Sequence, residues 1–220
     1  METRVNPVGR LCWSLLTALC LASLAGHLAL FSQLPDVVAT HFGVSGEVNG
    51  WSSKWVTLGL DVLPLALLAL LYAVPRIDPK GRNYERFGGV YQAFVVIFTI
   101  LMVLMTWSTE AVTLGWLEGR SVGLLVPIAV GVLFVAIGNY LPRVRDNYTF
   151  GFRTPWALND SDNWRRTQRA GGIALVASGV AFILAGVLGG GVLWFAIALG
   201  VTLAGVLAVY LYSYRIWKRG

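Results

Sequence analysis

The chain has 220 residues, of which 56% are hydrophobic and only 13% charged, with a mean hydropathy of +0.67. Soluble domains carry roughly 25% charged residues, so this composition excludes an ordinary soluble domain and points to a membrane protein that crosses the bilayer several times. The formal charge of +6 calls for no nucleic-acid partner, because the placement of the basic residues around the spans accounts for it.

In chain order, the apolar runs 11–34, 56–74, 88–109, 121–141, 171–188 and 192–212 each reach roughly 20 residues, the length that crosses a ~30 Å hydrocarbon core. The expected fold is all-α, with six transmembrane helices. Arg4 and Arg10 precede the first run, but it is too long for a signal peptide and no clean small-residue cleavage site follows, so it reads as an uncleaved span. Cys12 and Cys20 stand eight residues apart in that run. On one helix this is about 12 Å, too far for a disulfide.

Between spans 1 and 2 lies a polar segment with several glycines and two tryptophans, 33–55, expected to form a compact loop on the membrane surface. Asp36, His41 and Glu47 in it are weak candidate metal ligands, since structural metal sites bring a tighter Cys/His pattern. Turn and capping chemistry is the competing reading. Two ionisable groups, His27 and Asp61, fall inside spans. Each lies about six residues from the same membrane face, roughly 9 Å deep. An intramembrane ionisable pair is a functional candidate, with a register-fixing polar contact as the alternative.

The connection 110–120 is short. Pro127 is placed to kink span 4. Gly189-Gly190-Gly191 makes a tight turn between spans 5 and 6, and Ala196, Gly200, Ala204 and Ala208 form a small-residue ridge expected to pack against another helix. The two remaining loops echo each other: Pro75-Arg76-Ile77 with Asn83-Tyr84, and Pro142-Arg143-Val144 with Asn147-Tyr148.

Residues 147–172 are the longest polar stretch. Pro155 favours an extended Thr154, and Asn159, Asp160 and Ser161 are helix N-cap candidates. The expectation is a short membrane-surface helix ending in Arg165, Arg166 and Arg169, with Trp156 and Trp164 at the membrane–water boundary. Arg153 is expected to fold back on Asp78, Glu85 or Asp146 and pin the loop. With the termini in the cytoplasm, 15 of the 17 basic residues lie on the inner side, leaving only Lys54 and Arg120 outside. The positive-inside rule therefore sets the expected orientation.

No GxSxG, HExxH or phosphate-loop motif occurs, so neither an enzyme nor a cofactor is expected.

Leu34-Pro35, His41-Phe42, Gly46 and Trp51-Ser52-Ser53-Lys54, followed by Ile77-Asp78-Pro79-Lys80 and Asn83-Tyr84, resemble the domain of unknown function 1648 and the inner loop that follows it. Asn147, Gly151, Arg153-Thr154-Pro155-Trp156, Trp164, Thr167 and Gly171 resemble the signature of the SdpI family of membrane immunity proteins. Gln168 departs from that pattern, standing where a histidine is expected. The resemblance divides the chain into 1–75 and 76–220, the latter with the SdpI-like loop 142–170. It implies a multi-pass cell-membrane protein embedded in the lipid bilayer. Such a protein protects its cell from a toxin peptide on the outer side, and its inner loop engages a cytoplasmic repressor. A small transporter with a polar path at His27, Asp61 and Asn139 is the alternative.

Overall fold

The structure, a computed structural model, describes residues 6–219. Its elements are α1 (Arg10–Leu30), β1 (Val37–Phe42), β2 (Val48–Ser53), α2 (Trp55–Ile77), α3 (Gly88–Thr113), α4 (Gly119–Tyr140), α5 (Pro155–Asn159), α6 (Ser161–Val187) and α7 (Val192–Arg219). Six of the helices are long and apolar enough to cross a membrane. The expected six-span helical architecture is therefore the one found. Alternate connections lie on opposite faces. The hairpin β1–β2, the α3–α4 turn and the α6–α7 turn share one face, here the hairpin face. The α2–α3 and α4–α6 connections share the other, the loop face.

The α4–α6 interface is built on glycine. A Cβ added to Gly131 would come within 2.5 Å of the Gly179 carbonyl oxygen, and one on Gly179 within 2.5 Å of the Gly131 oxygen. Gly138 and Gly172 oppose each other in the same way at 2.7 and 2.6 Å, and a Cβ on Gly186 would sit 2.6 Å from the Leu124 oxygen. The glycines repeat every seven residues on each helix, which keeps them on one antiparallel seam. Without side chains there, the two backbones touch, and the packing gained is what holds helices together in lipid.

The ridge on α7 behaves differently from expectation. Ala196, Gly200, Ala204 and Ala208 all face outward, and nothing approaches a Cβ placed on Gly200. The helix packs on α6 through Ala198, Val209 and Ser213 instead. Small residues recur at fixed spacing on α6, at Gly172, Gly179 and Gly186, as well as on α7. Which stripe is used depends on what the neighbouring helix presents.

The outer segment is not an irregular loop. It is an antiparallel hairpin pairing Val37 with Ser53 and Phe42 with Val48, with a register shift beyond Ala39. Val38, Ala39 and Leu34 are buried beneath it. Gly46, at φ +83°, turns the tip, where a Cβ would lie 2.2 Å from the Gly119 oxygen. Gly191 also donates to the Val44 carbonyl at 3.3 Å. The hairpin thus reaches from α1 and α2 across to the start of α4 and the α6–α7 turn.

A second difference lies in α6. The surface helix and the fifth span are one continuous helix of 27 residues, about 40 Å long and so longer than a ~30 Å hydrocarbon core. Its first turns project from the membrane, and Arg165, Arg166 and Arg169 stand in the early part of the helix rather than at the end of a short one. Asp160 caps it by accepting from the Asp162 amide at 2.9 Å. Asp162, in the first turn, complements the dipole and pairs with Arg165 and Arg166. A polar run ends the hydropathy signal, but it does not end a helix whose backbone bonds continue into water.

Candidate functional site

The loop face holds a dense polar lock. Asn147 is fully buried and organises the turn that begins the SdpI-like stretch. Its Oδ1 accepts from the Thr149 and Phe150 amides at 2.9 and 2.5 Å, and its Nδ2 donates to the Arg145 and Phe150 carbonyls at 2.8 and 3.0 Å. Asp78, from the α2–α3 connection, reaches the same turn. Its Oδ2 accepts from the Tyr148 amide, the Thr149 hydroxyl and the Tyr84 hydroxyl at 2.9, 2.9 and 3.2 Å. Asn83 donates to the Asp146 carbonyl at 2.7 Å, and Lys80 pairs with the Asp146 carboxylate at 2.8 Å. The two loops that echo each other in sequence therefore lie against each other in space.

A second set of bonds ties this loop to the last span. The Thr154 side chain caps α5 by accepting from the Ala157 amide at 3.1 Å, and its hydroxyl meets the Ser213 hydroxyl at 2.6 Å. Ser213 donates to Asn163 Oδ1 at 2.8 Å, Thr167 donates to the same oxygen at 2.9 Å, and Asn163 Nδ2 returns a bond to the Ser213 carbonyl at 3.0 Å. All four side chains are buried, and every bond replaces a solvation that burial removes. Pro155 opens α5, and Trp156 on it packs beside Tyr214 and Trp217 of α7.

Two expectations change here, for Trp164 and Arg153, and Gln168 gains a role. Trp164 is buried to 1% exposure and donates to the Val144 carbonyl at 2.9 Å. It is a core residue, not a boundary anchor. Gln168 is buried and holds both sides of Phe152, accepting from its amide at 3.0 Å and donating to its carbonyl at 2.9 Å. Gly151, at φ +107°, makes room for that amide, since a Cβ there would lie 2.6 Å from Gln168 Oε1. Arg153 is exposed and donates to the Tyr148 carbonyl within its own loop. Of the acidic partners expected for it, Asp78, Glu85 and Asp146, the first and last are engaged by other loop residues.

On the hairpin, the outer-loop residues fall into separate contacts. Asp36 pairs with Lys54 at 3.1 Å, His41 Nδ1 bonds Asn49 Oδ1, and Glu47 accepts from the Ser45 amide at 3.2 Å. Asp36, His41 and Glu47 form no ligand group. Gly46 is buried, Phe42 is half-buried, and Pro35, His41 and Trp51 are exposed.

His27 and Asp61 do approach, with Nδ1 3.5 Å from Oδ1, and a third group joins them: Glu110 of α3, whose Oε1 is 3.4 Å from the same nitrogen. Among the described residues this is the one group of three His, Cys, Asp or Glu side chains whose potential ligand atoms all lie within 4.8 Å of one another. Glu110 stands where the apolar run of the third span ends in sequence, yet α3 continues through it to Thr113 and buries it. Asn139, the third residue of the supposed polar path, lies exposed near the opposite end of α4, beside Arg169 and Gly172. It does not line a route with the other two.

Residues 143–213 match the SdpI/YfhL protein family, and residues 18–65 match the domain of unknown function 1648. The immunity protein SdpI of Bacillus subtilis (strain 168) is 31% identical over 86 residues, 39% of this chain. The chain spans 40% of the length of that curated relative. No solved structure matches significantly. The family match begins at the loop and ends at Ser213, the residue that closes the lock onto α7.

Proposed function

We propose that this multi-pass membrane protein, whose residues 143–213 match the SdpI/YfhL protein family, is an immunity protein that protects its cell against a membrane-active toxin peptide. The observation that carries this reading is the coincidence of family segment and lock. The stretch shared with the family is the one whose Thr154, Asn163, Thr167 and Ser213 form a single buried network. With the loop face in the cytoplasm, the orientation that the basic residues favour, the hairpin with its exposed Trp51 meets the peptide from outside. The exposed guanidinium groups of Arg153, Arg165, Arg166 and Arg169 then face a cytoplasmic repressor.

The test is survival. A host made sensitive by loss of its own SdpI immunity protein is given this chain and challenged with the sporulation-delaying toxin peptide. Protection above an empty vector, lost on Asn163→Ala with the protein still present in the membrane, supports the reading. Survival no better than the empty vector overturns it. A transporter is the second reading, favoured by the three buried ionisable groups at His27, Asp61 and Glu110. Absence of ion or solute flux in proteoliposomes would retire it.

A further inference from the structure

The triad His27, Asp61 and Glu110 joins α1, α2 and α3 beneath the hairpin, and its side chains are at most 2% exposed. His27 Nδ1, Asp61 Oδ1 and both Glu110 oxygens are buried without a hydrogen-bond partner. Four orphaned polar atoms in one place are rare in a folded protein, and in a bilayer the cost of leaving them so is higher.

The surrounding bonds fix the imidazole. Thr106 donates to the Val103 carbonyl at 2.9 Å, which leaves its oxygen free to accept from His27 Nε2, 3.3 Å away. In the tautomer with the hydrogen on Nε2, Nδ1 turns a lone pair toward two carboxylates. Trp107 stacks on the imidazole with 4.2 Å between ring centroids and donates to Ser23 at 2.8 Å, holding the ring plane. Gly26 admits that indole, since a Cβ there would lie 2.9 Å from it. Three electron-rich atoms within 4.8 Å of one another repel unless something positive stands between them.

We propose that His27 Nδ1, Asp61 and Glu110 form a binding site for a divalent transition-metal cation of the zinc class. Zinc binds imidazole nitrogen and carboxylate oxygen at about 2.0–2.2 Å, which places neighbouring ligand atoms of a tetrahedral site about 3.3–3.5 Å apart. The two distances from Nδ1 are 3.4 and 3.5 Å. A doubly charged cation also neutralises the two carboxylates, which is what a low-dielectric site requires. Imidazole selects zinc and its first-row neighbours over magnesium or calcium. The bonded Nε2 on Thr106 supplies the outer support that metal-binding imidazoles usually have. Three protein ligands leave the fourth tetrahedral position open. The cation joins the three helices that support the hairpin, whether or not the chain confers immunity.

The full-length protein, purified in detergent and stripped with a chelator, is titrated with zinc, and bound metal is measured by mass spectrometry after dialysis. One zinc per chain is expected, with magnesium at the same concentration failing to displace it. Thr106→Val should weaken binding about 10–100-fold, Glu110→Gln and Asp61→Asn at least as much, and His41→Ala not at all. If a ligand variant does not fold, thermal unfolding of the unaltered protein decides, with zinc expected to raise its Tm and chelator to lower it. Three results would overturn the site: a folded protein that neither retains zinc nor shifts its Tm with it, binding that survives Glu110→Gln, or binding lost in His41→Ala. An infrared band of a protonated carboxyl in the zinc-treated protein, lost in Glu110→Gln, would also overturn it by placing a proton where the cation belongs.

Discussion

Gln168 holds the Phe152 peptide from both sides, its Oε1 accepting from the amide at 3.0 Å and its Nε2 donating to the carbonyl at 2.9 Å. One side chain of α6 thereby satisfies two backbone groups of a segment that lies outside any helix or strand. Gln168→Leu leaves both groups orphaned at a cost of about 1–3 kcal/mol each. Gln168→Glu keeps the acceptor and loses the donor, so it should fall between. Thermal unfolding in detergent measures the series. A leucine variant as stable as the parent would show that water replaces the amide and that the clamp contributes nothing.

The spans were legible because a bilayer imposes length and composition on any helix that crosses it, and the runs around Leu68, Leu133 and Phe182 obey both. The start of α6 was not, because Arg165, Arg166 and Arg169 erase hydropathy without interrupting backbone hydrogen bonds. Trp164 misled for a related reason. Its indole fits the membrane boundary as a residue type, yet the Val144 carbonyl gives its N–H a buried partner. The Asp160 cap and the extended Thr154 before Pro155 were readable because both are local backbone chemistry, whereas Pro155 itself opens α5 instead of extending the strand-like run. The roles of Ser213 and Glu110 were not. Each depends on a partner more than 49 residues away along the chain, and neither belongs to a local motif.

The glycine seam gives a packing prediction. Gly179→Val places side-chain atoms against the Gly131 oxygen and Val135, so α4 and α6 must separate. Overpacking of this kind costs about 1–3 kcal/mol. Gly200→Val, on the lipid-facing ridge of α7, meets nothing in the monomer and should leave stability unchanged. Comparing the two by thermal unfolding separates the seam from the unused ridge. A larger loss at Gly200 than at Gly179 would mean that α7 has a partner on its outer face.

Asp78 is the contact between the two loops, accepting from Tyr148, Thr149 and Tyr84 through one oxygen and from the Lys80 amide through the other at 2.8 Å. Asp78→Ala should loosen both loops together, with a loss of about 3–5 kcal/mol if the network acts as one unit. Limited proteolysis reports it directly: cleavage should appear in both 78–87 and 141–154. Cleavage confined to one loop would show that they are held independently.

Orientation is open to chemical labelling. In a protein lacking Cys12 and Cys20, a cysteine replacing the exposed Ser53 should react with an impermeant reagent added to whole cells. One replacing the exposed Ser161 should react only after the membrane is opened. The expectation follows from the asymmetry of basic residues between the two faces. Labelling of Ser161→Cys in intact cells would reverse the assignment of hairpin and loop faces, and with it the side on which the proposed toxin peptide would be met.

Arg153 separates structure from recognition. Its guanidinium carries five donors, and one of them is engaged by the Tyr148 carbonyl. The group is exposed, so its bond to the loop is worth about 0.5–1.5 kcal/mol at most. Arg153→Ala should therefore leave the thermal stability nearly unchanged. If the planar fork is presented to a partner's carboxylate, Arg153→Lys keeps the charge but loses the two-point contact, and protection should fall almost as far as in Arg153→Ala. Thr154→Val, one residue along, should behave in the opposite way. Its hydroxyl is buried between the α5 amide and Ser213, so the loss should appear first as instability. Survival under toxin challenge, read beside membrane abundance and unfolding temperature for the three variants, distinguishes the two roles. Full protection by Arg153→Lys would reduce Arg153 to a simple positive charge, and instability in Arg153→Ala would make it a structural residue after all.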